Sequence, residues 1–168
     1  MKRLTRPIPA NARSFARSES GAQLVEFAIL LPILLLIFAV IIEGGRLMWS
    51  YQATGAGVRD ATRYLARVVP SDVCSSGGSV AAWKTKVEGI VRDSSTGDAI
   101  FPSGITINSV TPSLTCFTGD YRVSQVGVAQ VTANLTVTFP FAGLFELAGG
   151  SRTTFTTDVS DQSRIFGT

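Results

Sequence analysis

Few side chains in this 168-residue chain can do chemistry, and the most telling is Glu26. It stands in Gly21-Ala22-Gln23-Leu24-Val25-Glu26-Phe27, at the start of an apolar run that continues through Ile42. An acidic side chain at the centre of a bilayer costs on the order of 2.5–3.5 kcal/mol, and less near the interface. A plain anchor gains nothing from such a charge. The chemistry open to it is pairing, because a carboxylate in apolar surroundings calls for a cation or hydrogen-bond donors. The alternative is a carboxylate solvated among headgroups at the membrane surface.

At the far end of the run, Glu43 and Arg46 are three apart. On a helix that spacing makes them neighbours. They read either as a local ion pair at the outer interface or as a contact for a partner. Cys74 and Cys116 both lie beyond the apolar run. In an oxidising compartment the even count favours a disulfide, worth about 4 kcal/mol in the loop-entropy model. Two buried free thiols are the alternative.

Other chemistry is excluded more firmly. The chain has no histidine, which removes the commonest general base and every histidine-dependent triad. Two distant cysteines cannot close a zinc site. The acids beyond the apolar run (Asp72, Glu88, Asp93, Asp98, Asp120, Glu146, Asp158, Asp161) are scattered without paired spacing. Gly55-Ala56-Gly57 falls inside a helical pattern rather than after a strand, so it is no nucleotide loop. Asn134-Leu135-Thr136 matches a glycosylation sequon but sits in a strand pattern. The chain does not read as an enzyme, and no cofactor, metal or small-molecule substrate is expected.

Charge places the chain. The formal net charge is +3, but the excess belongs to the first 21 residues, where Lys2, Arg3, Arg6, Arg13 and Arg17 face a single acid, Glu19. The remainder is slightly acidic, which removes support for nucleic-acid binding. A basic cluster before an apolar run puts the start of the chain in the cytoplasm and the rest outside. A cleaved secretory signal fits poorly. Its apolar core would be too long, Glu26 interrupts its start, and Ile41-Ile42-Glu43-Gly44-Gly45 offers no small-x-small cleavage site.

These residues need elements to position them. Residues 1–20 are polar and broken by Pro7 and Pro9, so no stable structure is expected there. From Ala22 to Ile42 a helix covers about 32 Å at 1.5 Å per residue, enough to cross the hydrocarbon layer, with Pro32 tolerated inside it. Trp49 and Tyr51 then fall near the outer interface. The helix continues to Pro70, since Leu47, Tyr51, Val58, Ala61, Leu65 and Val68 recur at helical spacing. Arg59, Arg63 and Arg67 line another face, either solvated or set against acidic patches of a partner. Gly55 and Gly57 mark a flexible point or a close contact.

Beyond Pro70, Ser75–Ser79 read as a loop and Val80–Val91 as a short amphipathic helix. The rest is β in character. Ile105 and Ile107 alternate with polar residues, and Val131–Phe139 alternates without a break. Val126 and Val128 have the opposite phase, which predicts a bulge near Ala129 or Gln130. Phe155, Thr157 and Val159 form a last strand after a turn at Gly149-Gly150. One-sided alternation implies an antiparallel sheet with one face covered by the two helices. The fold class is α+β: a long N-terminal transmembrane helix continuing into a small antiparallel-sheet head. The expected divisions are 1–21, 22–69 and 70–168.

This layout resembles the TadE-like (TadE/TadF) minor pilins or pseudopilins of the tight-adherence (Flp, type IVc) pilus system. The resemblance rests on Gly21–Phe27, on Pro32 inside the apolar run, on Glu43-Gly44-Gly45-Arg46 closing it, and on Gly57–Tyr64. It covers about residues 20–66, with a weaker likeness at Phe139-Pro140-Phe141 and the last strand. It implies cleavage between Gly21 and Ala22 by a prepilin peptidase at the inner membrane, which removes the leader as domain 1–21. The subunit would then be assembled with other pilins by the Tad machinery, to start or cap a fibre. Glu26, next to Phe27, would meet the new amine of Ala22 in its own or a neighbouring subunit. The rival reading is a signal-anchored extracytoplasmic binding protein or adhesin, never processed at Gly21.

Overall fold

The computed structural model describes residues 19–93, 100–120, 125–147, 149–150 and 153–167. Residues 1–18 of the basic leader lie outside them, while Glu19 and Ser20, expected without stable structure, are already helical. The chain divides into two compact units, residues 1–41 and 42–168.

In the first unit, helix α1 begins at Glu19; the helix as a whole is Glu19–Val68 and runs through Pro32 without interruption. Most of its apolar side chains, among them Leu24, Phe27, Ile33 and Phe38, are exposed. A helix apolar all round needs a protein core or lipid to cover it. Among the described residues, α1 is the one helix long and apolar enough to cross a membrane.

In the second unit, α1 buries Ser50, Thr54, Val58, Ala61, Thr62 and Leu65. The stripe expected from the sequence is thereby corrected. Tyr51 and Val68 are exposed, and three hydroxyl residues take core positions instead. The hydroxyls are satisfied locally: Ser50 donates to the Leu47 carbonyl at 2.8 Å, Thr54 to Ser50 at 2.8 Å and Thr62 to Val58 at 2.7 Å. Once bonded to the preceding turn, a hydroxyl can be buried without a large desolvation penalty.

The chain then turns through Pro70–Gly78, with Gly77 at a φ of 70°. A 3-10 turn, Ala81–Trp83, leads into α2, Lys84–Arg92. Val87 and Val91, four apart, form the buried stripe of α2. Gly57 is where α1 and α2 approach. A Cβ there would stand 3.1 Å from the Val91 Cα, so this glycine marks a close contact.

Three strands follow: β1 (Ile105–Thr118), β2 (Gln125–Thr138) and β3 (Thr154–Arg164), with a short helix α3 (Ala142–Leu147) before the last. They form an antiparallel sheet in the order β1-β2-β3. β2 buries every second residue from Gly127 to Val137 and carries no bulge. Val126 and Val128 belong to the opposite face, and the core phase passes through two small residues. Gly127 has to be small, because its Cβ would stand 3.3 Å from both Cys74 Sγ and Ile165 Cδ1. The bulge lies instead in β1 at Asn108: Ile107 pairs with Leu135, and Ser109 with Asn134. That one-residue shift lets Ile105 and Ile107 share the core face with Val110. Val58, Ala61 and Leu65 of α1, Val87 and Val91 of α2, and Val131, Leu135 and Val137 of β2 belong to one core. Its architecture is α+β, as the sequence predicts.

Candidate functional site

The chain offers two clusters, one in each unit. In the first, Gly21, Ala22, Glu26 and Phe27 all lie in α1 and are exposed. Ala22 and Glu26 are four apart, on one side of the helix and about one turn from each other. A Cβ on Gly21 would meet nothing within 4 Å. Glycine there is therefore no packing requirement, and it weakens the first turns by roughly 1 kcal/mol relative to alanine. The ion pairs among the described residues are Glu43–Arg46, Asp60–Arg63 and Lys84–Glu88, so Glu26 joins none of them.

The second cluster centres on Glu43, which is only 3% exposed. Its Oε2 lies 3.3 Å from Nη1 of Arg46, the neighbour that the spacing on α1 predicts. Its Oε1 accepts the backbone N–H of Phe141 at 2.9 Å. Arg46 in turn donates through Nη2 to the Ser103 carbonyl at 3.3 Å. The pair therefore ties α1 to two loops, one before β1 and one after β2. A carboxylate can be buried there because each oxygen has a donor. Beside it an open cleft of about 480 Å³ is lined by Arg46, Pro102, Ser103, Gly104, Thr138 and Pro140. Gly104 has a φ of 86°, a conformation that favours glycine where the backbone approaches Arg46.

Sequence spacing links Glu43 to Arg46 but gives no hint of Phe141 or Ser103. Backbone groups carry no residue-type signal, and both are far away along the chain. The neighbouring Phe139-Pro140-Phe141 turn is the one trace legible beforehand.

Cys74 and Cys116 are joined in a disulfide with Cα atoms 5.8 Å apart. It fastens the turn after α1 to the end of β1. Arg59, Arg63 and Arg67 are exposed, and the Asp60–Arg63 contact of 3.9 Å lies largely in water. Such a pair contributes little. The sequon residues Asn134 and Thr136 stand in β2, where Asn108 donates to both side chains and Asn134 donates to Asp158 at 2.6 Å. Among the described residues no group of three His, Cys, Asp or Glu could hold a metal ion.

Residues 21–63 match the model of a protein family described as TadE-like protein. The match begins at the glycine of the first cluster and takes in Glu26, Pro32, Glu43 and Arg46, in agreement with the resemblance read from those residues. No significant match was found among curated proteins or among solved structures.

Proposed function

We propose that this chain, TadE-like over residues 21–63, is a minor pilin or pseudopilin, a structural and non-catalytic subunit that helps to start or cap a Tad-type pilus. The TadE-like segment points to association with the Tad pilus system. The observation that carries the finer reading is that this segment opens at Gly21 and holds Glu26 exposed at the head of a membrane-length apolar helix.

On this reading a prepilin peptidase cuts between Gly21 and Ala22 at the cytoplasmic face of the inner membrane. The leader leaves and the apolar helix stays. Cleavage creates a cation, the free amine of Ala22, one helical turn from Glu26. Within a bundle of such helices, the carboxylate of one subunit and the amine of the next can pair and set the register between them, as single polar residues do in coiled coils. The second unit is then carried outside, where its disulfide is compatible with an oxidising compartment.

Fractionation tests this. The chain should be found in sheared pili as well as in the inner membrane, and deleting the prepilin peptidase should confine it to the membrane. A chain that stays in the membrane whether or not the peptidase is present would instead be a signal-anchored binding protein.

A further inference from the structure

We propose that the end of the second unit around Glu43, including helix α3, rests in the headgroup layer of the membrane that α1 crosses. This depends on the reading of α1 as a membrane span, and the test below separates the two.

Glu43 is the first residue after the apolar run ending at Ile42. Because Glu43 Oε1 holds the Phe141 N–H at 2.9 Å, the turn that opens α3 lies at the same level along α1. Phe141 is exposed there, and Leu144 and Phe145 of α3 are only half-buried. Trp49 and Tyr51 stand six and eight residues further along α1, about 9 and 12 Å at 1.5 Å per residue. The polar layer on each side of a bilayer is about 5–7 Å deep. Position 43 thus falls at its inner edge and Trp49 just past its outer edge.

Several exposed apolar side chains of the second unit lie in or next to this layer. Phe141 lies at the level of Glu43, Met48 at the outer edge of the layer, and Trp49 and Tyr51 just beyond it, all of them exposed. Phe101 stands edge-on to Trp49 with ring centroids 6.3 Å apart. An apolar groove of about 310 Å³, lined by Gly44, Leu47, Met48, Tyr51, Phe155 and Thr157, opens at the same level. Aromatic rings with one polar edge collect where apolar and wet surroundings meet. Arg46, whose guanidinium reaches the Ser103 carbonyl, can bury its stem and keep its charge outward. A lipid surface matches this composition and is already present at this point of the chain.

The test uses the full chain with its native disulfide in vesicles of phosphatidylethanolamine and phosphatidylglycerol. A nitroxide is placed at Gly143→Cys, where a Cβ meets nothing within 4 Å, and in separate variants at Leu34→Cys and Gln162→Cys. Collisions with oxygen, which concentrates in lipid, are compared with collisions with a water-soluble nickel chelate. The Gly143 label should read between Leu34 and Gln162, with nickel collisions reduced relative to Gln162 and oxygen collisions raised. A Glu146→Cys label on the same helix should keep that order. If Gly143 matches Gln162 while Leu34 reads lipid, the headgroup seat is overturned and the span stands. Shielding of Gly143 from both reagents would mean protein covers it, which overturns the proposal too. An aqueous reading at Leu34 overturns both.

Discussion

The Glu43 carboxylate accepts the Phe141 backbone N–H at 2.9 Å across 98 positions of sequence. This bond, with the Arg46 contact on the other carboxylate oxygen, fixes the turn after β2 to the start of the part of α1 that belongs to the second unit. Glu43→Ala should remove a part-buried hydrogen bond to a charged acceptor and destabilise the folded head by about 1.5–3 kcal/mol. Glu43→Gln keeps an acceptor and should recover part of that loss. Thermal unfolding of the full chain in detergent, followed by circular dichroism, compares the two.

Gly55 and Gly57 of α1 should respond in opposite directions to alanine. At Gly57 the added methyl would stand 3.1 Å from the Val91 Cα and 3.3 Å from its carbonyl oxygen. Both are backbone atoms with little room to give. Overpacking of this kind costs about 1–3 kcal/mol, which outweighs a helix-propensity gain of about 1 kcal/mol. At Gly55 the nearest atom is Val159 Cγ1 at 3.9 Å. Gly55→Ala should therefore stabilise by up to about 1 kcal/mol. Denaturant midpoints of the two variants give the comparison.

Replacing Cys74 and Cys116 together by serine should lower stability by about 2–4 kcal/mol, chiefly by freeing the unfolded chain. The variant should still fold, because the core of α1, α2 and the sheet does not include the bond itself. Unfolding with and without reductant should differ for the parent chain and coincide for the double variant.

What could be read from the sequence follows from what each element must do locally. Val131–Phe139 declares its strand because one face is covered along its whole length. The helix around Ser50, Thr54 and Thr62 is harder to read. Those hydroxyls look polar in sequence, yet their bonds to preceding carbonyls let them occupy the core while Tyr51 turns outward. The change of phase seen at Val126 and Val128 is real, but it reflects a core face continued through Gly127 and Ala129. The bulge belongs to Asn108, whose side chain bonds Asn134 and Thr136 across the strand. Of the Glu43 cluster, only the Arg46 half obeys a short-range rule. Its Phe141 and Ser103 partners are backbone groups brought near by the fold, and no spacing could announce them.

If the proposed pairing with the Ala22 amine operates, Glu26→Ala should leave processing largely intact and block incorporation into pili, because the variant lacks the carboxylate that would meet the amine cleavage creates. Immunoblots of whole cells and of the sheared fraction test this. Normal piliation in the variant would show that Glu26 is merely solvated at the membrane surface.

The proposed pilin role requires that the leader be removed at Gly21 while the apolar helix is kept. N-terminal sequencing of the protein extracted from intact cells reads this directly. The expected chain begins at Ala22 and still carries the run through Ile42. A mature protein that retains the arginine-bearing leader, with Gly21 uncut, would contradict it.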